Sequence, residues 1–136
     1  MKKETDYARE RFEQAVATLK QGVEIAKDEL GKDGVIQRFE YCFELLWKTL
    51  KVFLEDKGTL CQTPKDCLKA AFRLGFLKDE GAFLDMLTDR NKTSHLYQRE
   101  ESEKIFQRIK KNYLIAFEEV LPRLGREDGE NFVEKK

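Results

Sequence analysis

The residues best equipped for chemistry lie in one short stretch, Asp89-Arg90-Asn91-Lys92-Thr93-Ser94-His95-Leu96-Tyr97. His95 is the single histidine of the 136-residue chain. Imidazole is the side chain that titrates near neutrality without perturbation, so proton transfer at pH 7 falls first to His95. Arg90 offers a planar, forked cation suited to phosphate. Tyr97 offers a phenol that can bind a ligand or take a modification. Asn91 stands beside Arg90 and can orient either His95 or an anion.

These groups need elements that bring them together, and the chain reads as helices throughout. Phe12, Ala15 or Val16, Leu19, Val23 and Ala26 recur at helical spacing, and this first helix is expected to end near Gly31 to Gly34. A second helix is expected over about 35–56, with a stripe of Ile36, Phe39, Phe43, Leu46, Leu50 and Phe53. A further stripe of Cys42, Leu45, Trp47 and Leu54 widens its apolar surface, as befits the central helix of a bundle. Thr63-Pro64-Lys65-Asp66 is a helix start, with Thr as cap, Pro in the first turn and Asp near the positive end of the dipole. That short helix ends at Gly75, and a fourth begins near Asp79. The last is expected over about 99–124, carrying Phe106, Ile109, Tyr113, Ala116, Phe117 and Val120, with a frayed tail over 126–136. The expectation is an all-α, antiparallel up-and-down bundle of about five helices in a single domain, 1–136, with its core in 5–124.

On an unbroken helix Arg90 and His95 point about 140° apart, whereas Arg90 and Tyr97 lie about 20° apart. Arg90 and His95 therefore share a target only if the helix breaks over Asn91-Lys92-Thr93-Ser94, or if two protomers meet there. A plainer reading stays open: His95 caps a helix end, Arg90 pairs with Asp85 or Asp89, and Tyr97 is a packed aromatic.

Composition narrows the partners. Lys and Arg number 26 and Asp and Glu 26, so no global field recruits nucleic acid or a membrane, and any RNA contact needs a local basic patch. Lys104, Arg108 and Lys111 recur at steps of four and three, on one expected face of the last helix, and are the candidate substrate-binding residues. A solvated face balanced by Glu100, Glu101 and Glu103 is the competing reading. Cys42, Cys61 and Cys67 are an odd number without paired spacing, read as reduced thiols of a cytoplasmic protein. No signal peptide, membrane-length apolar run, zinc-ligand cluster or glycine-rich phosphate loop is visible, so neither a metal nor a cofactor is expected.

Arg38-Phe39-Glu40-Tyr41-Cys42-Phe43-Glu44-Leu45-Leu46-Trp47-Lys48-Thr49-Leu50-Lys51 resembles the second helix of the nucleotidyltransferase substrate-binding family, small helical proteins of the HEPN superfamily. The run from Thr63 to Gly75 resembles its third helix, and Arg90 to Tyr97 matches the HEPN pattern of Arg, four spacers, His, any residue, Tyr. The resemblance covers essentially 5–124. It implies a homodimer and a minimal nucleotidyltransferase encoded nearby as partner. Its relatives with this motif are metal-independent ribonuclease toxins, neutralised when the transferase attaches AMP to the motif tyrosine. Carried over, Arg90, His95 and Asn91 become the candidate catalytic residues and Tyr97 the candidate modification site.

RNA cleavage suits these side chains. A 2′-hydroxyl attacks the adjacent phosphorus, His95 manages its proton, and Arg90 stabilises the charge on the phosphorane. One histidine cannot be both acid and base, but two across a dimer can. Glu40 and Glu44, one turn apart on the central helix, can position Arg90, or Glu44 can simply pair with Lys48. Two functional classes remain: a ribonuclease toxin, and a non-catalytic subunit that binds a nucleotide or other substrate for a transferase. A helical scaffold without any nucleotide connection is the weaker third.

Overall fold

The computed structural model describes residues 2–93 and 99–124. All regular structure among them is helical. In chain order α1 is Lys2–Ile25, α2 Glu29–Asp56, α3 Pro64–Arg73, α4 Glu80–Thr93 and α5 Arg99–Arg108. A π-helical turn, Ile109–Tyr113, joins α5 to α6, Leu114–Val120, and a 3₁₀ turn, Leu121–Arg123, follows. The residues at these junctions keep right-handed helical angles, so 99–123 is one continuous rod and the architecture is the expected five-rod helical bundle.

Helix α2 is central because both of its stripes are apolar. Phe39, Phe43, Leu46 and Leu50 are fully buried, as are Cys42 and Leu54 of the second stripe. Leu45 and Trp47 pack at the edge of the core. Three bonds fix the antiparallel register of α1 on α2: Arg38 to the Thr18 carbonyl, Arg11 to the Tyr41 hydroxyl, and Thr49 to the Ala8 carbonyl. Facing α2, the last rod contributes Tyr113, whose ring stacks on Phe39 at 5.5 Å, and Phe117, tilted against the same ring at 6.1 Å. Such aromatic contacts add directional preference to the burial of large rings.

Two sequence expectations need correction. Helix α2 starts at Glu29, not near 35, because Asp28 caps it by accepting from the Gly31 amide at 2.8 Å. Gly31 is there for space: a Cβ would lie 3.2 Å from Asp28 Oδ1 and 3.3 Å from the Ala26 backbone. It lets α1 and α2 approach at their turn instead of ending a helix. The second correction concerns the thiols. Cys61 and Cys67 form a disulfide, with Cα atoms 5.2 Å apart. Gly58, at φ 84°, turns the chain out of α2, and Thr63 caps α3 through the Asp66 amide. The segment between them folds back and seats Cys61 against the first turn of α3. Only Cys42 remains a free thiol, and its burial pushes its pKa up and keeps it unreactive.

The pairing makes a direct prediction. Unfolded without reductant, the protein exposes one titratable thiol; after reduction it exposes three. Reduction costs about 2 kcal/mol of stability, the loop-closure value for so short a loop. Three thiols titrating without reductant contradict the pairing.

Candidate functional site

Helix α4 carries Arg90 in its last turn, where a cation complements the negative end of the helix dipole. The Arg90 side chain is 34% exposed. Its Nη2 donates to Glu44 Oε1 at 2.5 Å, and its Nη1 to Asn91 Oδ1 at 3.3 Å. Glu44 is thus the carboxylate that positions Arg90, rather than Asp85 or Asp89. Its other oxygen accepts from Trp47 Nε1 at 3.2 Å and lies 3.7 Å from Lys48 Nζ, so Trp47 fixes the carboxylate while Glu44 fixes the guanidinium. Helix α4 continues unbroken through Asn91 to Thr93. His95 and Tyr97 lie outside the described residues.

One residue before Arg90, Asp89 is 4% exposed and saturated with donors. Arg108 Nε reaches Oδ2 at 2.7 Å, Arg108 Nη2 reaches Oδ1 at 3.0 Å, and the Tyr113 hydroxyl donates to Oδ2 at 2.6 Å. A buried carboxylate is tolerated when charged and polar donors satisfy it in this way. The hydrogen bond to Asp89 raises the already high pKa of Arg108. Burial, then the bond to Asp89, raises the Tyr113 phenol well above its ordinary 10.0. The phenol therefore stays protonated and donates. The π-helical turn supplies the fit. By inserting one residue's worth of register between Arg108 and Tyr113, it lets both reach one carboxylate.

Tyr113 gives a pH prediction with a definite sign. A group whose folded pKa is raised contributes stability fully below its unfolded pKa and loses it as pH rises. Stability from Tyr113 should hold to about pH 10 and decline above it. Urea titrations across pH 9 to 11 should show a steeper alkaline decline in the wild type than in Tyr113→Phe. Identical slopes would contradict the assignment.

The candidate basic residues part company. Arg108 is held by Asp89, and Lys111 is exposed. Both line a groove of about 530 Å³ between the start of α4 and the last rod. Lys104 is exposed and outside that groove. Beyond Arg108 the π turn interrupts the i+3 spacing that would place Lys111 in line with the other two. Arg99 is occupied by Asp33 and Glu29, and Lys32 by Glu103, so this end of α5 is stitched to α2. Among the described residues no three His, Cys, Asp or Glu side chains converge as a metal site. No helix among them is long and apolar enough to cross a membrane.

The sequence had not shown the Asp89–Arg108–Tyr113 network or the role of Trp47. The available signal was the buried stripe: Tyr113 lies on it, so its hydroxyl needed a partner.

Similarity to known proteins bears on this arrangement. A crystal structure of a Thermus thermophilus protein superposes with a TM-score of 0.78 at 37% identity, over 85% of this chain and 99% of that one. A Haemophilus influenzae structure, described as revealing the fold of a substrate binding domain of a nucleotidyltransferase, superposes with a TM-score of 0.64 at 25% identity, over 90% of this chain and 97% of that one. No curated protein matches the chain. The family described as nucleotidyltransferase substrate binding protein like matches residues 7–126. With that match over most of its length and a helical bundle shared with both solved structures, the chain belongs to the nucleotidyltransferase substrate-binding protein-like family.

Proposed function

We propose that this chain is the HEPN-type partner of a minimal nucleotidyltransferase and acts as the ribonuclease toxin of the pair. The observation that carries this reading is the support given to one guanidinium. Arg90 is oriented by Glu44, which is itself held by Trp47, and follows directly on an Asp89 pinned by Arg108 and Tyr113. A rigidly aimed, partly exposed arginine suits a phosphate that gains charge during reaction. In a homodimer the Arg90 and His95 of both protomers would line one cleft. One His95 takes the 2′-hydroxyl proton as that oxygen attacks phosphorus, and the other protonates the departing 5′-oxygen. Asn91 keeps the arginine in register.

Tyr97 is where the partner acts. Its hydroxyl oxygen attacks the α-phosphorus of ATP, the bond to the bridging oxygen breaks, pyrophosphate leaves, and the phenolic proton passes to a base of the transferase. The phosphodiester then occupies the place of an RNA phosphate and adds a negative charge near Arg90.

The second reading, a non-catalytic subunit that binds nucleotide or another substrate for the transferase, is favoured by the description of the Haemophilus influenzae neighbour. One experiment separates them. Purified protein, dimeric by light scattering at micromolar concentration, is incubated with single-stranded RNA in EDTA. The ribonuclease reading expects cleavage that EDTA leaves unchanged. Intact RNA together with stoichiometric nucleotide binding supports the subunit reading instead.

A further inference from the structure

We propose that Tyr7, Arg11 and Tyr41 form a stacking platform for single-stranded nucleic acid on the outer face of α1 and α2, an inference that rests on the RNA-directed reading above. Tyr7 is 63% exposed and Tyr41 54%. The Arg11 guanidinium lies between them, with Nη2 3.3 Å from the Tyr41 hydroxyl and Cζ 5.8 Å from the centre of the Tyr7 ring. The core does not require these rings: α1 packs inward through Phe12, Ala15, Val16 and Leu19. Two exposed aromatic rings bridged by a planar cation, which lies over the Tyr7 ring, are a surface on which unpaired bases stack, and guanidinium itself stacks on base and ring alike.

The placement of the platform favours a strand over a compact ligand. Arg38 and Lys48 flank Tyr41 along α2, within an arc of about 80°. Arg38 reaches back to the Thr18 carbonyl on α1, and Lys48 is exposed. Glu44, which holds Arg90, follows Tyr41 by one turn, about 4.5 Å along the axis and 60° around it. Platform and candidate phosphate site therefore share one edge of the molecule, and a strand with bases on Tyr7 and Tyr41 continues toward Arg90. Glu44 sits on this edge between Arg90 and Lys48 and offsets part of their charge. Attraction then rests on stacking more than on counter-ion release, which fits a chain of zero net charge. A duplex, whose bases are already stacked, gains little from such a surface.

The test is fluorescence anisotropy of labelled oligouridine of about 12 nucleotides and of a duplex of equal length, within the site sizes of single-strand binders. Wild type, Tyr7→Ala, Tyr41→Ala, Tyr41→Phe and Arg90→Ala are compared, with RNA cleavage and light scattering measured on each. Each tyrosine-to-alanine change should weaken single-strand binding about tenfold and leave duplex binding unchanged. Tyr41→Phe should keep the affinity. Both rings are exposed, so circular dichroism should show unaltered helicity. Full single-strand affinity in both alanine variants overturns the platform; if Arg90→Ala has still lost cleavage, the ribonuclease reading stands without it. No RNA binding by the wild type overturns both. Loss of dimer mass in the tyrosine variants also overturns the platform, because the surface is then an interface between copies.

Discussion

Arg90→Ala and His95→Ala should each abolish RNA cleavage and growth inhibition while leaving the fold in place. Loss of a positioned acid or base costs about 10² to 10⁴ in rate, and loss of a charge-stabilising donor about 10² to 10³. The stability cost should be small for Arg90. Its side chain is 34% exposed, and Glu44 keeps Trp47 and Lys48 as partners when the guanidinium is removed. A partly exposed ion pair of this kind contributes about 1 kcal/mol or less. Arg90→Lys keeps the charge but not the fork, so it should restore little activity. The measurements are single-turnover cleavage of a labelled RNA and thermal unfolding of the same preparations. Full cleavage by His95→Ala removes the acid–base assignment, and full cleavage by Arg90→Ala removes the phosphate assignment.

Asp89→Ala should be the most destabilising polar substitution among the described residues. Its carboxylate takes two bonds from Arg108 and one from Tyr113 inside the protein. Hydrogen bonds to a charged group contribute about 1.5 to 3 kcal/mol, and breaking a buried pair costs about 3 to 5. Arg108 is 35% exposed and regains some water. A loss of about 3 kcal/mol in urea unfolding is therefore expected. Tyr113→Phe removes a single donor to that carboxylate and should cost about 2 kcal/mol. Because Asp89 fixes the turn of α4 that carries Arg90, Asp89→Ala should also slow cleavage in the molecules that remain folded. A loss under about 1 kcal/mol for Asp89→Ala would mean the network is not the brace described.

The parts of this structure that follow a repeating rule were legible in the sequence. Phe39, Phe43, Leu46 and Leu50 recur at steps of three and four, and all are fully buried. Thr63-Pro64 reads as a helix start and is one, because cap chemistry is local. What was not legible depends on contacts between distant residues. Gly31 looks like a stop signal until the approach of Asp28 and Ala26 shows how tightly a side chain would fit there. Cys61 and Cys67 lie six residues apart, a spacing without meaning until the turn after α2 closes on α3. Arg108 looks like one of three aligned surface cations. It is turned inward because Asp89, on another helix, needs donors. The π turn has no signature in Ile-Lys-Lys-Asn-Tyr; the demand of Asp89 for both Arg108 and Tyr113 selects it. The candidate site divides the same way. Glu44 as a support for Arg90 was one of two sequence readings, whereas the bond from Trp47 that holds Glu44 required the fold.

The claim that joins the family membership to the chemistry is that a partner nucleotidyltransferase acts on this chain at Tyr97. It is decided by intact-protein mass spectrometry after incubation with that transferase and ATP. The wild type should gain one AMP and Tyr97→Phe none, with RNA cleavage lost in step with the modification. An equal gain on both proteins, or none on either, contradicts the claim.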